Sequence, residues 1–171
     1  KELLDKGFLV TIIEKEPTIG VHSSGRNSGV LHSGIYYPKG TLKEQFCTEG
    51  KPLLTDFCKT YNVNIDRCGK VLVTKTESEL AGIELLYKRG TENGIKVQRL
   101  SQDELALKDP FAKTVKEALW VEETAVFDSK EILKRLIDYI KSHQNGTVLF
   151  DESFKSRVDS TSIQTSNQKI V

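Results

Sequence analysis

Apolar positions recur along this chain with two different periods, and each change of period marks a new element. Lys1–Lys6 reads as the end of a helix, with Leu3 and Leu4 apolar and Gly7 placed as its stop. Phe8–Ile13 is a short continuous apolar run rich in β-branched residues, which predicts a strand covered on both faces. Thr41–Tyr61 predicts a helix with Leu42, Phe46, Leu53, Leu54 and Phe57 broadly to one side. Pro52 lacks an N–H and clashes with the carbonyl four residues back, so a kink or two shorter helices are expected there. Arg67–Thr74 predicts a strand, Glu77–Glu92 a helix stopped by Asn93-Gly94, and Ile95–Arg99 an extended segment. Ser101, with Glu104 three residues on, is a capping box opening a short helix, and Leu119–Val121 predicts another strand.

The clearest helix is Ser129–His143, capped by Asp128 with Glu131 and carrying Ile132, Leu133, Leu136, Ile137 and Ile140 on one stripe. Thr147–Phe150 and Phe154–Val158 predict strands, and Ile163–Thr165 with Lys169–Val171 a hairpin about Ser166-Asn167-Gln168. This alternation predicts a mixed α/β (α+β) fold in two interleaved layers. Helix, glycine, buried strand, acidic residue is the second half of a βαβ unit. The first half, which carries a GxGxxG turn, is not among these residues. The chain also opens inside a helix and contains no methionine, so it is expected to be a piece of a longer enzyme.

Composition narrows the function. The 171 residues suffice for one ordinary domain. Twenty-five Lys and Arg against 24 Asp and Glu leave nothing that points to nucleic acid or a membrane surface. No apolar run approaches the roughly 18–20 residues of a membrane span. Cys47, Cys58 and Cys68 lack CxxC spacing, so reduced thiols are expected rather than a disulfide framework or a zinc site. No HExxH, CxxC pair or acidic cluster suggests a metal. Asn145-Gly146-Thr147 matches a glycosylation sequon but reads first as a turn.

The candidate chemistry is concentrated in Val10–Tyr37. Glu14 closes a strand that follows a helix, where dinucleotide folds place the acid that accepts hydrogen bonds from ribose hydroxyls. Ser23, Ser24, Arg26, Asn27 and Ser28, with Gly25 and Gly29, form a small-residue loop dense in hydrogen-bond donors, suited to phosphate. An apolar and aromatic run follows at once, which a merely solvated loop would not need. Within that run His32 is a candidate general base or substrate orienter, and Gly34 beside it lets backbone approach a flat ring. None of Ser24, Ser28 or Ser33 sits in a GxSxG elbow, which argues against a serine hydrolase.

These residues also carry a resemblance. GRNSGVLHSGIYYPKGTLKEQFCTEG, then CGKVLVT, then VEETAVFD before a helix, resembles the L-2-hydroxyglutarate dehydrogenase/oxidase family, FAD-dependent enzymes of the D-amino-acid-oxidase-like superfamily. The likeness runs from about Lys1 to Val171, with Gly25–Tyr37 its specific part. It implies a partial Rossmann-like FAD-binding domain interleaved with a mixed-sheet substrate domain. The expected division is 1–62 and 128–171 for the FAD-binding part and 63–127 for the substrate part. Glu14 would match the ribose acid, with Lys15 beside it at the adenosine. Ser24, Arg26, Asn27, Ser28 and Gly29 would run along the pyrophosphate towards the flavin, with His32 and Gly34 near its ring. Phe154 falls where the superfamily has a valine whose backbone contacts adenine.

The resemblance implies oxidation of a small 2-hydroxy acid, best matched by L-2-hydroxyglutarate, with FAD as cofactor and oxygen or a quinone chain as electron acceptor. It implies a cytoplasmic or mitochondrial-matrix location, peripheral to a membrane at most. The fragment by itself is expected to bind FAD poorly and to be inactive. Two rivals stay open. One is another flavoenzyme of the superfamily acting on an amine, an amino acid or glycerol 3-phosphate. The other is a non-catalytic remnant that binds no flavin.

Overall fold

The structure is a computed structural model that describes residues 1–171. In chain order its elements are α1 (Glu2–Asp5), β1 (Val10–Ile13), β2 (Val30–Leu31), α2 (Leu42–Thr60), β3 (Ile65–Asp66), β4 (Lys70–Leu72), α3 (Leu80–Glu92), β5 (Val97–Leu100), α4 (Gln102–Lys108), β6 (Ala118–Val121), β7 (Ala125–Phe127), α5 (Ser129–Ser142), β8 (Gly146–Leu149), β9 (Phe154–Arg157), β10 (Ile163–Thr165) and β11 (Lys169–Ile170). A single 3₁₀ turn, Ser23–Gly25, lies between β1 and β2, and another, Glu77–Glu79, leads into α3. The fold is mixed α/β, as the pattern predicts. No helix is long and apolar enough to cross a membrane.

The chain forms two compact units, one from 1–28 with 128–171 and one from 29–127. In the first, β1 and β8 pair in parallel, from Val10 opposite Gly146 to Ile13 opposite Leu149. Parallel pairing requires a crossover. Its last element is α5, which packs on β8. The Asp128 carboxylate fixes where α5 starts by accepting the N–H groups of Lys130 and Glu131 at 2.8 and 3.2 Å, satisfying two of the donors a helix start leaves free. Strands β9, β10 and β11 follow as an antiparallel meander.

In the second unit β4, β6 and β5 form an antiparallel sheet, with Val71 and Gln98 both opposite Trp120. Alternation along these strands feeds two cores. Ile35, Ile95 and Val121 pack with Leu72, Leu86 and Val97, while Leu100, Leu105 and Ala118 pack with Val71, Ala112 and Trp120. A second small sheet joins β2, β7 and β3. The capping box at Ser101 is present in full and opens α4.

Three expectations change. Helix α2 runs through Pro52 as one element. Proline removes a single ladder donor, and the Thr55 hydroxyl donates to the Lys51 carbonyl at 2.8 Å nearby. The stripe of α2 is not core: Leu42, Phe46 and Leu53 are exposed and Cys58 is the helix's buried residue. Phe8 and Leu9 are exposed too, and lie ahead of β1, which begins at Val10. The chain passes from one compact unit to the other at Ser28–Gly29. Pairing of β2 with β7, reinforced by the Phe127 N–H donating to the Gly29 carbonyl at 2.8 Å, draws residues 29–62 into the second unit.

Candidate cofactor and substrate sites

Glu14 follows β1 directly, and its N–H donates to the Leu149 carbonyl at 2.9 Å. It thus sits at the carboxyl ends of two parallel strands, where open α/β folds bind their ligands. A cavity of about 420 Å³ opens there, lined by Ile13, Glu14, Lys15, His22, Glu152, Ser153 and Phe154. One carboxylate oxygen of Glu14 accepts the Glu16 N–H at 3.0 Å, and the other has no protein partner. Three of the expected residues, Glu14, Lys15 and Phe154, are therefore brought to one cavity. Phe154 is exposed, as a residue working through its main chain would be.

The cavity also holds residues that local sequence did not single out. Lys15 and Glu16 both reach Nε2 of His22, at 2.9 and 2.7 Å, and Lys15 also pairs with Glu16. Hydrogen bonds from Lys15 and then His22 hold the Glu16 carboxyl below the usual range. Glu152 is buried, and its N–H donates to the Glu14 carbonyl at 2.9 Å. The Thr165 side chain first, then the Asn167 N–H and the Gln168 amide, keep Glu152 ionised by lowering its pKa. Glu152 therefore ties the meander to the end of β1. Its signal in sequence is weak, since an acid in a loop is ordinarily a solvated charge.

The donor loop begins in the 3₁₀ turn Ser23–Gly25. The Asn27 amide donates to the Ser24 carbonyl at 2.6 Å, so this side chain shapes the loop. Ser24, Arg26 and Ser28 are exposed, and their side chains bond to nothing else in the protein. None of these three lines the Glu14 cavity, but a carboxylate oxygen on one segment and exposed guanidinium and hydroxyl donors on the loop that follows it are the acceptor and donor types that ribose and diphosphate require. These residues fit the adenosine diphosphate portion of FAD.

Gly29, His32 and Gly34 belong to the second unit. Gly29 has φ +63°, and a Cβ there would lie 2.3 Å from the Phe127 carbonyl oxygen. Strand pairing therefore demands glycine at this position. Gly34 differs: with φ +96° it needs glycine for its backbone, yet a Cβ would meet nothing closer than 3.5 Å. Gly34 is buried, and the direction a Cβ would take faces Cys47 at 3.5 Å and Ile95 at 3.9 Å, so the structure shows no open space for a ring on that side.

The segment after His32 is firmly held. Ile35 is fully buried, the Arg89 guanidinium donates to the Tyr36 carbonyl at 3.1 Å, and the Asn93 amide donates to the Tyr37 carbonyl at 2.9 Å. The Ser33 hydroxyl is buried without a hydrogen-bond partner. His32 itself is exposed. Desolvation, and then the nearby Lys70 ammonium, lower its pKa below the ordinary 6.5. Both effects favour the neutral imidazole, the form that can accept a proton.

Residues 2–169 match the family described as DAO, FAD dependent oxidoreductase. The chain belongs to that family. It is 38% identical over 138 residues to an L-2-hydroxyglutarate dehydrogenase, mitochondrial, of Dictyostelium discoideum, covering 78% of this chain and 31% of that protein. It is 39% identical over 101 residues to an L-2-hydroxyglutarate dehydrogenase of Escherichia coli (strain K12), covering 59% of this chain and 24% of the relative. In both cases the chain spans less than a third of the relative's length. In fold it is similar to an L-alpha-glycerophosphate oxidase from Mycoplasma pneumoniae solved with FAD bound. That match has TM-score 0.82 and 22% identity, and covers 93% of this chain and 44% of the other.

Proposed function

We propose that the protein carrying this chain is an FAD-dependent oxidoreductase that converts a small 2-hydroxy acid, best matched by L-2-hydroxyglutarate, to its 2-oxo acid. The observation that carries this reading is the cavity at the carboxyl ends of β1 and β8, with Glu14 at its edge, in a chain of the FAD dependent oxidoreductase family. The names of the relatives supply the substrate.

In this reading Glu14 accepts the hydrogen bonds of the adenosine ribose, with Lys15 at the same end and the main chain of Phe154 towards the adenine. Ser24, Arg26 and Ser28 donate to the diphosphate, and Asn27 and Gly29 set the path of the loop. The backbone at Gly34 approaches the ring. His32, neutral in the free protein, accepts the proton of the substrate C2 hydroxyl on its imidazole. FAD, when bound, supplies the acceptor for the C2 hydrogen and its electron pair. Oxygen or a quinone chain receives the electrons afterwards. A mitochondrial-matrix location, peripheral to a membrane, agrees with the naming of one relative as mitochondrial; a cytoplasmic location is the alternative.

The test is purification of the protein, a flavin absorbance spectrum, and turnover of L-2-hydroxyglutarate beside glycine, proline and glycerol phosphate. Flavin absorbance with oxidation of the hydroxy acid supports the reading. Oxidation of the amines alone overturns the substrate class, and a colourless protein that takes up no FAD overturns the enzyme.

A further inference from the structure

The CGKVLVT strand and the IYY run contribute one residue each to a juxtaposition that neither motif announces. Lys70 lies in β4, fixed opposite Val121, and Tyr36 follows the buried Ile35. The Lys70 ammonium donates to the Tyr36 hydroxyl at 3.2 Å and stands 4.4 Å from the centre of its ring. An ammonium has three N–H donors, and this one forms no ion pair with any carboxylate of the protein. Because the Tyr36 oxygen accepts from Lys70, its own O–H is left to donate outward, and Tyr36 is exposed. A cation and a phenol O–H side by side on firmly held backbone form a receptor for a carboxylate.

His32 follows Leu31, which pairs with Ala125, and Lys70 follows Gly69, whose N–H donates to the Thr124 carbonyl at 3.0 Å. The consecutive residues Thr124 and Ala125 thus hold the two segments beside each other, and the ammonium accordingly lowers the His32 pKa. In a 2-hydroxy acid the carboxylate and the hydroxyl sit on adjacent carbons. We propose that Lys70 and Tyr36 bind the C1 carboxylate of an α-hydroxy acid so that its C2 hydroxyl meets His32. We also infer that Lys70 rejects the corresponding α-amino acid, whose ammonium would face a like charge. This rests on the reading of His32 given above, and it assigns the substrate's anchor and the basis of discrimination within that site. A surface cation–π pair with no ligand is the competing account of the same contact.

The experiment titrates purified protein with 2-oxoglutarate, which cannot be oxidised at C2, and with L-glutamate, while the side-chain NMR signals of His32 and Lys70 are followed. In the wild type and in K70R, 2-oxoglutarate shifts both signals and binds more tightly than glutamate. K70Q binds 2-oxoglutarate roughly tenfold or more weakly, as expected for loss of a charged hydrogen bond, and the preference over glutamate shrinks. Y36F, which keeps the ring and removes the O–H, binds several-fold more weakly, and it serves as the test if K70Q does not fold. No shift in the wild type, or unchanged binding in K70Q, overturns the anchor. The two readings fail separately. Turnover of amines alone, with binding at Lys70 intact, removes the hydroxy-acid function and leaves a carboxylate site. Turnover of the hydroxy acid with KM unchanged in K70Q removes the anchor and leaves the function.

Discussion

The cavity beside Glu14 and the ribbon carrying His32 solve opposite problems. The first is assembled from strand ends and loops: Glu14 ends a strand, and Ser24, Arg26 and Ser28 are exposed on the loop that follows. Glu152 joins Glu14 to the meander, its N–H donating to the Glu14 carbonyl and its buried carboxylate accepting the Asn167 N–H and the Gln168 amide. The second is a segment pinned from below, with Ile35 in the core and the carbonyls of Tyr36 and Tyr37 bonded to Arg89 and Asn93 of the α3 end. A long polar ligand is held by many donors, each of modest effect, so loops suffice. A proton acceptor, the role proposed for His32, must meet one atom, and a small displacement is costly, so packed backbone suits it.

The largest effect that can break this comparison is on the ribbon. Ile35→Ala removes a fully buried side chain beside Ile95 and Val121 and is expected to destabilise the protein by about 3 kcal/mol in chemical denaturation, with the His32 NMR signal displaced. Phe154→Ala at the exposed cavity is expected to cost no more than about 0.5 kcal/mol. Similar losses for the two would show that the regions are not built differently.

The next effect falls on the cavity. Glu14→Gln keeps an oxygen for the Glu16 N–H and removes the charge offered to the ribose. Affinity for FAD, measured by calorimetry, is expected to fall roughly tenfold with little change in melting temperature. A large drop in melting temperature without loss of affinity would make Glu14 a structural residue.

The smallest effect concerns charge on the ribbon. His32 has a lowered pKa, so in the window between its depressed midpoint and 6.5 the unfolded chain binds more protons than the folded one. Stability therefore rises with pH through that window, is complete above it, and declines as pH falls through it. An NMR titration is expected to place the His32 midpoint below 6.5. K70Q raises it part of the way back, because desolvation remains. A midpoint indifferent to K70Q would separate Lys70 from His32.

Much of this was open to a reader of the chain alone, for local reasons. Asp128 before an apolar stripe, Ser101 with Glu104, and the β-branched run ending at Glu14 each act within a few residues, so their structure follows from neighbouring side chains. The loop dense in serine, arginine and asparagine announces an anion for the same reason. Pro52 shows the limit of local argument: the residue that ordinarily ends a helix lies inside α2, because the remaining bonds of the helix carry on past one missing donor.

Tertiary structure decided what depends on distance along the chain. Pairing of β2 with β7 joins residues nearly a hundred apart and holds Gly29 in the second compact unit, and the approach of Phe127 makes glycine necessary there. Glu152 meets Glu14, and Lys70 meets Tyr36, only because strands far apart in sequence are brought together. A carboxylate or an ammonium in a sequence reports its charge and not its neighbours. By itself the sequence determined which charged, polar and apolar groups stand near one another along the chain; which residues act on one another across it was decided by strand pairing and packing, whose energies arise from contacts no local window contains.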